Sequence, residues 1–283
     1  MKYRHSFHAG NFADVHKHVA LLALIAALQR KDKGFLYLDT HAGRGQYDLK
    51  SDAARQGAES RRGVGALPGA DFASPEINNY LGTLEELRTR AGSEGSYPGS
   101  PLLAAAALRA QDRGVCCEIQ AAECRALERA LLPYPRMRCE CTDGYRALRS
   151  QLPPAERRAL VLIDPAYEQQ GADLDQAIAG IGEALSRLAN AVIALWYPIK
   201  DDRELNPYLA RLAAELKTPA LTSELWLHPR DARVGLNGSG LLIVHPPYRL
   251  DLEMEQWLPE LGSALGVERQ GGTRVRWITH EQH

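Results

Sequence analysis

The chain has 283 residues, 45% of them hydrophobic, with 34 Lys and Arg against 35 Asp and Glu for a formal net charge of -1. Such a composition builds a large core and excludes disorder, collagen and coiled coil, and this length is common for a single α/β unit. The balanced charge excludes a basic field over the whole molecule, so any contact with nucleic acid must rest on local patches.

The opening, MKYRHSFHAGNFADVHKH, is polar, aromatic and rich in histidine. It runs into the longest apolar stretch, Val19 to Leu28. That stretch is shorter than the ~20 residues of a membrane span, and no short basic export segment precedes it. We expect a buried helix over 19–30, hence a cytoplasmic protein that makes no membrane contact. FLYLDT (35–40) then reads as a buried strand ending in an acid, followed at once by HAGRGQYD. A strand feeding a glycine-rich turn is the usual opening of a nucleotide-binding α/β unit.

From about residue 49 to 96 the composition shifts to Ala, Gly, Ser and Arg, and LGTLEELRTR (81–90) is the clearest helical piece. No convincing strand stands out there, so we expect a helical insertion. Strand patterns resume at VCCEI (115–119), MRCEC (137–141), ALVLID (159–164) and AVIALWY (191–197). Helical segments such as 122–132 and 174–189 lie between them. Short apolar runs alternating with helices imply βαβ units and a mostly parallel sheet flanked by helices. The runs 221–227, 240–246 and 273–279 are expected to close it. One Rossmann-like domain over 1–283 follows.

Ligands of open α/β sheets sit at the carboxyl ends of the strands. The acids at those ends are Asp39, Glu118, Asp143 and Asp164. An adenosine-bearing cofactor needs such groups, because a carboxylate accepts hydrogen bonds from ribose hydroxyls and from the adenine amine. The turn Gly43–Arg44–Gly45 lacks the third glycine of a dinucleotide fingerprint, which favours a cofactor without phosphates, such as S-adenosylmethionine, over NAD.

The sharpest signal is Asp164–Pro165–Ala166–Tyr167, at the end of the most apolar strand. An aromatic amine is a poor nucleophile because its lone pair is delocalised into the ring. The Asp164 carboxylate and the Pro165 carbonyl could accept both amine hydrogens and turn that lone pair toward a methyl sulfonium. Tyr167 could stack on the flipped base. Proline holds the turn rigid before the base arrives.

The five cysteines, Cys116, Cys117, Cys124, Cys139 and Cys141, are expected to be reduced thiols, since an odd count without an export signal does not build a disulfide framework. No metal is expected. His16 and His18 are two apart and fall on different faces of a helix, while Cys139 and Cys141 lack the spacing of zinc loops.

Asp-Pro-x-Tyr resembles the catalytic turn of the amino-group methyltransferases, usually (Asp/Asn)-Pro-Pro-(Tyr/Phe). Taken together, YRHSFHAGNFADVHKH, FLYLDTHAGRG, YPGSP (97–101), IDPAYE and ALWYP resemble the RlmJ family over nearly the whole chain. That resemblance implies methylation of N6 of one adenine of 23S ribosomal RNA, nucleotide 2030 in the family, with S-adenosylmethionine as cofactor. It implies that the N-terminal segment, residues 1–18, closes over the site as a lid. His18, His41 and Ser100 would contact the cofactor, Glu118 its ribose, and Asp143 and Gly144 its adenine. Asp164 would be the catalytic and cofactor-side residue, and Tyr3, His5, Lys17, Pro165 and Tyr167 would face the substrate. Arg4, Lys17 and the Arg61–Arg62 pair are candidates for phosphate contact. The RNA would be free of protein, and no obligate protein partner is expected.

The chain departs from the pattern at Ala166, where the family has a second proline. The two acceptor groups survive; one restraint on the turn is lost. A decoy, His245–Pro246–Pro247–Tyr248, preserves Pro-Pro-Tyr but offers a histidine in place of the acid, and is expected to be structural. A DNA adenine methyltransferase and a cofactor- or RNA-binding module without turnover remain as alternatives at this stage. An NAD oxidoreductase is the weakest of them.

Overall fold

The computed structural model describes residues 8–51, 59–200, 202–267 and 270–280. Its first helix, α1 (Phe12–Gln29), starts where Asn11 caps it by accepting the Asp14 N–H through its side chain at 2.9 Å. A side-chain oxygen at that position satisfies one of the donors a helix start leaves free. The helix therefore begins well before the expected residue 19, and residues 12–18, expected within a lid, form its first turns. Asp14, His16, Lys17 and His18 are all buried there, each with a hydrogen-bonding partner. By length and composition α1 could cross a membrane, yet 89% of it is buried inside the protein. It is a core helix.

The eight-stranded main sheet consists of β1 (Leu36–Asp39), β4 (Arg113–Cys117), β5 (Met137–Glu140), β6 (Ala159–Ile163), β7 (Val192–Ile199), β8 (Ala220–Trp226), β9 (Gly238–Val244) and β10 (Gly272–Thr279). Their order across it is β10-β8-β9-β7-β6-β1-β4-β5. From β5 to β7 every pairing is parallel, while β9 and β10 run antiparallel to their neighbours. The chain moves outward from β1 to β4 and β5, then returns to lay β6 on the other side of β1. That reversal opens a crevice at the carboxyl ends of β1, β4 and β6.

Both faces of the sheet are covered. Tyr37, Leu160 and Leu162 pack with α1 and with α8 (Leu250–Ala264), whose Trp257 is fully buried. Leu36, Leu38, Val161 and Ile163 pack on the opposite face with α5 (Gly144–Gln151), α6 (Gln170–Arg187) and α7 (Asp202–Glu215). Burial on both sides explains why these strands read as continuous apolar runs rather than alternating ones.

The insertion differs from expectation at its base. Two three-residue strands, β2 (Gln46–Asp48) and β3 (Ser96–Pro98), pair antiparallel with Tyr47 opposite Tyr97. Beyond them, α2 (Pro75–Ala91) buries Ile77, Tyr80, Leu84 and Leu87, one face at helical spacing. Glu260 of α8 accepts the Ala73 and Ser74 N–H groups and the Ser74 hydroxyl, fixing the helix start. After β3 come α3 (Ser100–Ala107) and, following β4, α4 (Ala121–Leu131).

The thiols are not all reduced. Cys124 of α4 and Cys141 at the end of β5 are joined as a disulfide, while Cys116, Cys117 and Cys139 are free. Packing α4 beside β5 sets their Cα atoms 5.6 Å apart, inside the range a disulfide spans. Spacing along the sequence does not reveal that proximity.

Candidate active site

The carboxyl ends of β1, β4, β5 and β6 bring Asp39, Glu118, Asp143 and Asp164 to one edge of the sheet. Asp164, one residue beyond β6, is bound by a residue far away in sequence: Lys17 Nζ donates to its Oδ2 at 2.6 Å and to Asp14 Oδ1 at 2.9 Å. The Lys17 side chain is 6% exposed and that of Asp164 15%. Burial alone would lower the lysine's pKa, but Asp14 and Asp164 together hold it well above its ordinary value, so the ammonium is charged. Oδ1 of Asp164 and the carbonyl of Pro165 have no hydrogen-bond partner among the described residues.

Below this pair lies Trp196 of β7. Lys17 Nζ sits 5.8 Å from its ring centre, and its indole N–H donates to Ser239 Oγ at 3.0 Å. His16 bridges Ser239 and Ser223 through its two ring nitrogens, and burial pushes its pKa down to about 3. Tyr167 has φ +51°, a left-handed conformation uncommon for a side-chain-bearing residue. Its hydroxyl donates to the Trp196 carbonyl at 2.5 Å, and its ring meets Trp196 edge-on at 5.6 Å. At 5% exposure the ring is covered, so a base stacking on it would have to enter a packed position. Pro165 is buried and Ala166 exposed.

On the β1 side, Asp39 is fully buried. It accepts the Tyr37 and Ser100 hydroxyls at 2.8 and 2.7 Å and the His41 N–H at 3.2 Å. Burial lifts its pKa to about 6, opposed by the Ser100 and Tyr37 hydrogen bonds and assisted by the Asp164 charge. Asp39 thus ties the start of α3 to the glycine-rich turn. His41 places its ring edge-on to Tyr145 at 5.1 Å, and burial lowers its pKa, with Asp164, Asp143 and Asp173 pulling the other way.

Gly43 and Gly45 have φ +62° and +79°, which glycine alone adopts without strain. The turn they make delivers the Gly43 N–H to Glu118 Oε2 at 3.1 Å, while Glu118 Oε1 accepts from Gln120 N–H at 2.7 Å. Burial raises the Glu118 pKa. Asp143 caps α5 through Oδ1, which accepts the Tyr145 N–H at 2.8 Å, and its Oδ2 has no partner among the described residues. At Gly144 a Cβ would overlap the Thr40 carbonyl, so α5 starts in direct contact with the end of β1. A carboxylate offers about four acceptor positions. Glu118 and Asp143 therefore keep capacity for ribose hydroxyls and an adenine amine, and the donor set fits an adenosine-bearing cofactor.

Tyr3, His5 and Arg4 lie outside the described residues. His18 is 1% exposed with its Nδ1 2.9 Å from the Tyr97 hydroxyl, which continues to Tyr80 at 3.2 Å. His8 pairs with Glu59 of the insertion at 3.0 Å, so the described histidines of the opening hold separate partners rather than one centre. Arg61 and Arg62 are exposed in a short turn of the insertion. The Pro-Pro-Tyr decoy follows β9, whose Val244 pairs with Ile193 near the start of β7. It lies at the opposite edge of the sheet from Asp164. Sequence reasoning gave no role to Asp14 or Trp196, and it placed Asp39 among the strand-end acids without a contact of its own. The only local signal was the acid of Asp39 directly before the glycine-rich turn.

A family model described as ribosomal RNA large subunit methyltransferase D, RlmJ, matches residues 32–279. The chain is 38% identical to ribosomal RNA large subunit methyltransferase J of Escherichia coli and 36% identical to that of Haemophilus influenzae. Each alignment covers 99% of this chain and all of the relative. A crystal structure of a Legionella pneumophila protein superimposes with a TM-score of 0.84 at 31% identity, covering 95% of this chain and 98% of that one.

Proposed function

The chain belongs to the RlmJ family of ribosomal RNA large subunit methyltransferases, and on that premise we propose that it methylates N6 of one specific adenine in 23S rRNA, with S-adenosylmethionine as donor. The observation that carries the reading is the pair of acceptors with no partner among the described residues, Asp164 Oδ1 and the Pro165 carbonyl, beside the charged Lys17 ammonium. Only an ionised carboxylate is purely an acceptor. The cofactor supplies an electrophilic methyl group on a sulfonium.

The protein's part is orientation. Asp164 and Pro165 hold the two amine hydrogens, so the nitrogen lone pair is drawn out of conjugation with the ring and faces the donor. Lys17 and Asp14 fix Asp164, and Trp196 fixes Tyr167, so the acceptors stand in place before the base arrives. As nitrogen gains positive charge the Asp164 carboxylate stabilises it, and the surplus proton leaves to solvent. Glu118 takes the cofactor's ribose, Asp143 and Gly144 its adenine, and His18, His41 and Ser100 complete its pocket. Lys17, Pro165 and Tyr167, with Tyr3 and His5, form the substrate side. An adenine must leave its stack to reach this turn, which favours RNA free of protein.

The test is incubation with methyl-labelled S-adenosylmethionine and protein-free, unmodified 23S rRNA, followed by nucleoside separation. Label in N6-methyladenosine is expected, and an equal length of DNA of the same sequence should not compete. Label confined to another nucleoside, or preferred transfer to the DNA, would refute the reading.

A further inference from the structure

We propose that Cys124, Cys139, Cys141 and Glu128 form a binding site for zinc when the Cys124–Cys141 pair is reduced. The inference is independent of the methyl-transfer reading, since none of these residues belongs to that site.

Four soft or anionic donors converge from two elements. Cys124 and Glu128 stand one helical turn apart on α4, and Cys139 of β5 and Cys141 just beyond it, two residues apart, share a face. Cys124 Sγ lies 3.4 Å from Cys139 Sγ, and Cys141 Sγ lies 3.9 Å from Glu128 Oε1. The ligand atoms of Cys124, Glu128 and Cys141 are all within 4.8 Å of one another. In a tetrahedral zinc centre with ~2.3 Å bonds to sulfur, neighbouring sulfurs stand about 3.8 Å apart. Cys124, Glu128 and Cys141 already stand at that scale and Cys139 adjoins them through Cys124; opening the disulfide lets the Cys124 and Cys141 sulfurs separate to it.

The chemistry balances with a dithiol reductant. One dithiol is oxidised to its own disulfide as two electrons and two protons pass to Cys124 and Cys141. Zinc then binds three sulfurs and a carboxylate oxygen, and three thiol protons go to solvent. The local field favours the cation. Cys139 also has the carboxylates of Glu128, Glu118 and Glu140 around it. A dication is stabilised by those charges. Cys124 is buried, and Cys141 and Glu128 are exposed, so an ion has access from solvent. Bound zinc would clamp α4 to the end of β5, the segments that follow Glu118 and precede Asp143.

The experiment uses the full chain, treated with a dithiol, stripped with a chelator and titrated anaerobically with Co²⁺. One equivalent should give intense thiolate-to-cobalt absorption and the visible bands of a tetrahedral ion, both abolished by Zn²⁺. Cys139→Ser and the exposed-site variants Cys141→Ser and Glu128→Gln should each weaken binding about tenfold or more, with circular dichroism unchanged for the last two. The proposal is overturned if the reduced protein shows no tetrahedral cobalt spectrum. It is equally overturned if Cys139→Ser and Cys141→Ser bind as tightly as the parent, or if the disulfide resists the dithiol.

Discussion

Lys17 Nζ lies 2.6 Å from Asp164 Oδ2, although 147 residues separate them in the chain. The contact joins the first helix to the Asp164–Pro165 turn at the end of β6. Breaking a buried pair from one side leaves the other charge uncompensated, at a cost of about 3–5 kcal/mol. Lys17→Met should therefore lower the denaturant midpoint and reduce kcat at least about tenfold. Lys17→Arg should recover part of the stability and less of the rate. Chemical denaturation and single-turnover kinetics on the same preparations check both.

Ala166 tests the missing second proline. Its side chain is exposed, and its backbone N–H makes no hydrogen bond among the described residues, so a proline there forfeits none. Ala166→Pro should raise stability by about 0.4–1 kcal/mol by narrowing the unfolded ensemble. Methylation should be equal or faster. Unchanged turnover would show that the lost restraint does not matter to the chemistry.

Tyr167→Phe removes the donor to the Trp196 carbonyl at the base of the turn. Loss of one partner of a buried hydrogen bond costs about 1–3 kcal/mol. The expected result is a lower melting temperature and a fall in kcat larger than the rise in KM for RNA, because the turn loosens while the RNA surface is intact.

Gly144 is the position where α5 touches β1. Gly144→Ala places a methyl group against the Thr40 carbonyl, and backbone on both sides must shift. Displacement of Asp143 with it should weaken cofactor affinity by about tenfold or more, measured by calorimetry. Gly182, where an added Cβ would stand in open space, is the control: Gly182→Ala should leave affinity unchanged.

His16 predicts an acid limb of stability. Its folded pKa of about 3 lies below the ordinary 6.5. Between those values the unfolded chain binds a proton that the folded chain does not, so stability falls as pH drops from about 6.5 toward 3. Urea midpoints measured across that window should show a shallower decline for His16→Gln than for the parent.

Much of this site was readable from the sequence, and what was missed has a common cause. The strands of the main sheet announce themselves as apolar runs because both faces are covered, and the acids that end β1, β4, β5 and β6 come together at one edge. Residues 12–18 were expected in a lid rather than in the first turns of a core helix, and the partners of Lys17 and His16, namely Asp164, Ser223 and Ser239, lie far along the chain. Periodicity carries no information about such pairs. β2 and β3, with three residues each, are too short to show alternation. The Cys124–Cys141 bond depends on α4 packing beside β5, which no spacing rule encodes.

The central claim is that Asp164 orients the adenine amine without being needed to hold the cofactor. The most direct measurement is a paired one on Asp164→Ala: S-adenosylmethionine affinity by calorimetry, and single-turnover transfer to protein-free 23S rRNA. We predict near-parental affinity, a cooperative unfolding transition, and transfer reduced by about a thousandfold or more. Transfer within a few-fold of the parent would contradict the account.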